Sequence, residues 1–136
     1  MICILQARIS SKRLPKKVLK KINNRCILER VINRLKRSKE IKKIIVATSV
    51  SVDDKSIVNF CKKNKISYYK SNLNNVFLRY YETIKFYNIR NFVRITADSP
   101  LIDPEIVDKA IRLFKKNKAD IVTNTFRRSY PKGQSV

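Results

Sequence analysis

The sequence predicts an α/β fold, a Rossmann-like, doubly wound and mostly parallel sheet with helices on both faces. Three observations lead there. Short apolar runs, 1–5 and 44–47, read as strands buried on both faces rather than as the alternating strands of a half-wet sheet. Stretches with helical spacing of apolar residues lie between such runs. Polar segments follow the runs where these sheets put their ligands, outside the carboxyl ends of the strands.

The elements follow in order. Met1 to Gln6 reads as a first, central strand, and it empties into a basic loop, Ala7 to Lys17. Val18, Leu19 and Ile22 suit a short extended piece, stopped by the turn-forming Asn23-Asn24. Ile27, Leu28, Val31, Ile32 and Leu35 make one stripe of a helix running to about Ser38. Ile44 to Ala47 is a second buried strand, ending in Thr48-Ser49. Asp53-Asp54, ahead of Ile57, Val58 and Cys61, predicts a helix with an acidic first turn. Ile66 to Tyr69 is a third strand, and 72–75 a loop. Val76 to Tyr87 reads as a helix with Val76, Tyr80, Ile84 and Tyr87 on one side. Phe92 to Thr96 is a fourth strand, followed by the loop Ala97-Asp98-Ser99-Pro100. Asp103-Pro104-Glu105 is a strong helix start: a capping side chain, a proline suited to the first position, and an acid at the positive end of the dipole. Asp120 to Asn124 predicts a fifth strand.

Composition limits the function classes. A chain of 136 residues is expected to form one domain, 1–136, with a core of useful size. No apolar stretch approaches a membrane span, and the opening residues lack a signal-peptide pattern, so a cytoplasmic protein is expected. The absence of histidine excludes His-based metal sites and His general bases. Cys3, Cys26 and Cys61 lack metal or redox spacing and read as buried small hydrophobes. The net charge of +22 suits a polyanionic partner. Its lysines are spread over the outer faces of the predicted helices, and Ile and Asn are abundant. The excess therefore reads first as solvated surface in a compositionally biased chain, not as a dedicated nucleic-acid face.

The basic loop is more specific. It gathers Arg8, Lys12, Arg13, Lys16 and Lys17, with Ser10 and Ser11, at one strand's carboxyl end. Asp98 stands at the carboxyl end of another. Cations and a carboxylate facing one crevice suit a metal–triphosphate complex, the carboxylate holding Mg²⁺ and the cations neutralising phosphate oxygens. Each piece has a plainer reading: loop charge for the cations, a turn into Pro100 for Asp98, a helix cap for Asp103.

These residues also carry a resemblance. The run 7–17, ARISSKRLPKK, resembles the A-R-x-G-S-x-R-L-P-x-K signature of sugar-acid cytidylyltransferases, nearest to the spore-coat polysaccharide biosynthesis group and related to the acylneuraminate and deoxyoctulosonate enzymes. Residues 28–32, 44–49, 76–81 and 93–104 agree in the same order, so the resemblance runs from residue 2 to about 133. It implies transfer of CMP from CTP to a sugar acid, with release of pyrophosphate, in surface polysaccharide synthesis, and a fold of the nucleotide-diphospho-sugar transferase type. Carried over residue by residue, Arg8, Ser11, Arg13 and Lys17 would bind the triphosphate, with Arg13, Lys17 and Asp98 catalytic. Asp98 would hold Mg²⁺. Ala7, Thr48, Ser49, Asn75 and Arg79 would lie around the nucleotide.

Two departures are visible. Ser10 and Lys16 stand where the family loop has glycine, which predicts a different loop path or weaker binding. The family also continues beyond this chain, with acceptor, dimer and further carboxylate contacts. The resemblance therefore implies a truncated nucleotide half, completed by a homodimer or a partner chain. Two other classes compete: a non-catalytic polyanion- or nucleic-acid-binding module, and a glycosyltransferase-like domain that binds a nucleotide-sugar. The latter expects a DxD acidic pair, which Asp98 and Asp103 do not make.

Overall fold

The computed structural model describes residues 1–10, 14–127 and 130–136. Four strands, β1 (Ile2–Gln6), β4 (Lys43–Ser49), β5 (Ser67–Ser71) and β6 (Phe92–Thr96), form one sheet in the order β5-β4-β1-β6, with every pairing parallel. β2 (Lys21–Ile22) and β3 (Arg25–Cys26) form a separate antiparallel hairpin. Four helices complete the frame: α1 (Ile27–Leu35), α2 (Lys55–Lys63), α3 (Val76–Phe86) and α4 (Pro104–Asn117).

β1 is apolar because both of its faces are covered. Cys3 and Leu5 join Val46, Val93 and Ile95 in a core closed by Leu28, Val31, Ile32 and Leu35 of α1, Ile57 and Cys61 of α2, and Val107 and Ile111 of α4. On the opposite face Ile4, Ile45 and Ala47 meet Tyr80 of α3 and Ile89, with Val76, Ile84 and Tyr87 packed alongside. Each large aliphatic chain so buried contributes about 1.5–3 kcal/mol. The stripes expected for α1 and α3 are therefore the faces that pack. The doubly wound prediction is realised, with helices on both faces.

Local chemistry fixes the element boundaries. Asp103 caps α4 through the Glu105 N–H at 2.8 Å, and Pro104 takes the first position, as the sequence predicts. Asn75 caps α3 through the Leu78 N–H at 2.9 Å. The turn at Asn23-Asn24 has φ 46° and 64°, the primed geometry of a two-residue hairpin, which asparagine tolerates. The extended piece expected from Val18 and Leu19 is instead a single 3₁₀ turn, Lys17–Leu19, with only Ile22 in a strand.

The fifth strand does not form. Residues 120–124 have strand-like composition, but a strand needs a ladder, and among the described residues β6 pairs only with β1. The segment spends its polar groups on the chain end instead. The Asn124 side chain donates to the Gln134 carbonyl at 2.6 Å and accepts from the Val136 N–H at 3.0 Å.

The chain moves from β1 outward to β4 and β5, then crosses to β6 on the other side of β1. The strand order therefore reverses between β1 and β6. A crevice at their carboxyl ends is the expected ligand position.

Candidate functional site

A cleft of about 860 Å³ opens at that reversal, lined by Gln6 at the end of β1, Thr96 and Asp98 at and beyond the end of β6, and Arg8, Lys16 and Lys17 between them. Two small residues start the loops side by side. Ala7 and Ala97 are each 1 % exposed. The Ala7 N–H continues the ladder to Ala47 O at 3.0 Å, and the Ala97 N–H bonds Gln6 O at 2.9 Å.

The loop after β1 turns about Ile9, which is buried. Its N–H donates to Asp54 Oδ1 at 2.7 Å, and its carbonyl accepts from the Lys16 N–H at 3.2 Å. Lys16 has φ 57° and ψ 19°, a left-handed conformation that costs a side-chain-bearing residue about 1 kcal/mol. At this position the lysine takes the backbone conformation that the family's glycine favours. Ser10, exposed on the cleft, is not among the described residues with positive φ. Ser11 and Arg13 lie outside the described residues.

Across the cleft, Lys17 Nζ donates to Asp98 Oδ2 at 2.6 Å, with both side chains partly exposed. Burial works against the charge on Asp98. The Lys17 ammonium and the Thr96 hydroxyl outweigh it and hold the carboxyl below the ordinary aspartate range. The carboxylate is therefore ionised at neutral pH. Asp53 lines the same cleft. No group of three or more metal-ligating side chains exists among the described residues. The donor set fits Mg²⁺ in its usual mode, in which one or two carboxylates hold it and phosphate oxygens and water fill the octahedron.

The remaining sequence-predicted residues are absent from the cleft lining. Thr48 and Ser49 are buried, at 0 % and 1 % exposure. Ser49 Oγ donates to Asp54 Oδ2 at 2.5 Å, and Thr48 Oγ1 has no partner among the described residues. Asn75 uses its side-chain oxygen on the α3 cap. Arg79 is fully buried, its Nη2 donating to the carbonyls of Asn72 at 2.8 Å and Leu73 at 2.6 Å. Burial and the nearby Arg8 charge both push its pKa down. Arg79 thus shapes the 72–74 loop, and Leu73 and Asn74 of that loop line the cleft.

Sequence reasoning missed Asp54. The Asp53-Asp54 pair looked like helix-start acidity, and a 3₁₀ turn Val52–Asp54 does precede α2. Asp54 is nevertheless 0 % exposed, and its carboxylate accepts from the Ile9 N–H, the Ser49 N–H and the Ser49 hydroxyl. The signal in the chain was the second of two adjacent acids just after a strand end. Its partner Ile9 lies 45 residues away.

A parallel sheet with a cationic loop facing a carboxylate at its switch point places this chain among the α/β proteins with a ligand crevice at the strand carboxyl ends. Comparison with known proteins narrows this. The cytidylyltransferase family model matches residues 2–131, and the chain belongs to that family. An uncharacterized protein, MJ1063, of Methanocaldococcus jannaschii is 42 % identical over 123 residues, 90 % of this chain and 51 % of that one. The 3-deoxy-manno-octulosonate cytidylyltransferase of Rickettsia bellii is 33 % identical over 126 residues, 88 % of this chain and 50 % of its own. A solved cytidylyltransferase from Leptospira borgpetersenii superposes with a TM-score of 0.90 at 36 % identity, over 98 % of this chain and 58 % of that one. The chain spans about half the length of the curated relatives it matches. No described helix is long and apolar enough to cross a membrane.

Proposed function

We propose that this chain binds CTP with Mg²⁺ and serves transfer of CMP to a sugar acid, with release of pyrophosphate. The observation that carries the reading is the Lys17–Asp98 pair, 2.6 Å apart across a cleft at the β1–β6 reversal. Family membership and the name of the Rickettsia bellii relative support it. The spore-coat resemblance of the basic loop extends it to surface polysaccharide synthesis.

In this reading Arg8, Ser11, Arg13 and Lys17 take the phosphate oxygens, and Asp98 holds the metal. Bound Mg²⁺ supplies charge neutralisation on the phosphates. The acceptor's hydroxyl oxygen bonds to the α-phosphorus as the bond to the β-phosphate bridging oxygen breaks, and the hydroxyl proton is lost to solvent. Negative charge grows on the departing pyrophosphate, where Arg13 and Lys17 stabilise it. Lys17 thereby exchanges partners, from Asp98 in the free cleft to phosphate in the loaded one. Thr48, Ser49, Asn75 and Arg79 support the base and ribose from outside the cleft lining. The acceptor is held by a homodimer partner or by a partner chain.

Titration calorimetry tests the reading. CTP should bind in preference to ATP, and more tightly with Mg²⁺ than without. Equal affinity for the two nucleotides together with indifference to Mg²⁺ would sink it. A single-stranded oligonucleotide in the same cell separates the polyanion-binding alternative, whose affinity falls steeply with salt.

A further inference from the structure

We infer that Asp54 is the positioning residue of the nucleotide site, holding the loop after β1 at the height the phosphates require. The inference rests on the CTP reading above. Asp54 is fully buried at the carboxyl ends of β1 and β4, and it forms no ion pair among the described residues. Such a group is tolerated only when donors satisfy its lone pairs. The donors here come from two separate strand ends: the Ile9 N–H at 2.7 Å, the Ser49 N–H at 3.0 Å and the Ser49 hydroxyl at 2.5 Å. One carboxylate therefore fixes the loop of β1 against the end of β4.

Ile9 is the point through which this acts. Its N–H is held by Asp54 and its carbonyl by the Lys16 N–H, so Asp54 fixes the base at which the two described ends of the loop meet. Arg8 lies on one side of that base, and Lys16 and Lys17 on the other, and all three line the cleft. Asp54 itself is absent from the lining. It touches no ligand and works through Ile9.

Charge makes the test sharp. Removing a negative charge beside a triphosphate site should, by Coulomb's law alone, tighten nucleotide binding. Loss of positioning should weaken it. Asp54→Asn keeps the shape and reverses one oxygen to a donor. CTP affinity, measured by calorimetry with Mg²⁺ well below the unfolding temperature, should fall about tenfold or more, the worth of one charged hydrogen bond. Asp108→Asn, which alters another buried triple acceptor far from the cleft, should leave CTP affinity within about twofold. Tighter or unchanged CTP binding by Asp54→Asn overturns the inference, as does an equal loss in both variants. If Asp54→Asn fails to fold, Ser49→Ala removes one donor from the carboxylate and should weaken CTP binding to a smaller degree; wild-type affinity there overturns the inference equally. Failure of the wild-type chain to bind CTP would strike the underlying reading instead, and so is a separate outcome.

Discussion

Two buried aspartates do the same local work at opposite ends of the sheet. At the carboxyl ends of the strands Asp54 gathers Ile9 and Ser49. At the amino ends Asp108 of α4 accepts from the Ser38 hydroxyl and from the N–H groups of Lys39, at 2.9 Å, and Glu40, at 3.2 Å. Both are almost wholly buried, and each orders a turn by accepting three hydrogen bonds. The turn that Asp108 orders leads into β4 and also receives the chain's N-terminal ammonium, on Glu40 O at 2.7 Å. The turn that Asp54 orders carries the cations of the cleft. One arrangement serves the frame and the other serves the site; location, not chemistry, makes the difference.

The largest effects should come from deleting the carboxylates outright. Asp54→Ala and Asp108→Ala each abandon three donors, and each should cost about 3 kcal/mol in urea unfolding. Loss from one alone would break the parallel.

Next in size are the exposed ion pairs that stand at the same two ends. Lys17→Met removes the cleft partner of Asp98 and should weaken CTP binding about 10- to 100-fold. Lys115→Met removes the pair with Glu40, 2.5 Å long, and should leave the urea midpoint close to the parent's and CTP affinity unchanged. A nucleotide defect in Lys115→Met would mean that the two ends are coupled.

Acid separates the frame from the rest more gently. Burial opposes the charge on Asp108, but the Ser38 hydroxyl and the Lys39 and Glu40 N–H groups hold its pKa below the ordinary 3.8. A depressed folded value means that the folded state binds fewer protons. This part of the stability is therefore present above pH 3.8 and is lost as the pH falls through the folded value. Urea midpoints measured from pH 7 downward should show a smaller acid-dependent drop in Asp108→Asn than in the parent. Superimposable drops would remove Asp108 from the account.

The smallest effect comes from two left-handed lysines. Lys118 ends α4 with φ 49°, and Lys16 closes the cleft loop with φ 57°. Glycine at either should stabilise by about 0.5–1 kcal/mol. Lys118→Gly should leave CTP affinity unchanged, whereas Lys16→Gly should shift it, because of the two only Lys16 lines the cleft.

The sequence revealed whatever is local or periodic. The apolar run of β1, the stripe of α1, the Asn23-Asn24 turn and the Asp103-Pro104 start all depend on residues within a turn or two of each other, and all are found. The facing of the basic loop and Asp98 was also legible, because parallel topology alone puts both at strand carboxyl ends. Residues 120–124 misled because strand propensity does not say whether a segment joins a ladder, and this one bonds residues 134–136 while the outer edge of β6 has no partner among the described residues. Asp54 and Arg79 were opaque for a related reason. Each looks like a surface charge by type, and only tertiary packing reveals a side chain with its polar atoms turned inward. Arg79 even keeps Nε and Nη1 unpartnered among the described residues.

The closed base of the cleft loop also bears on how this protein can change. With Ile9 held at both its N–H and its carbonyl, the residues between it and Lys16 form a ring sealed by its own hydrogen bond. The entropy of closing such a ring grows only with the logarithm of its length, about 0.6 kcal/mol per doubling. Residues can therefore be gained or exchanged between Ile9 and Lys16 while those two stay seated on the sheet. Drift in what the loop grips is thus separated from drift in how the domain folds.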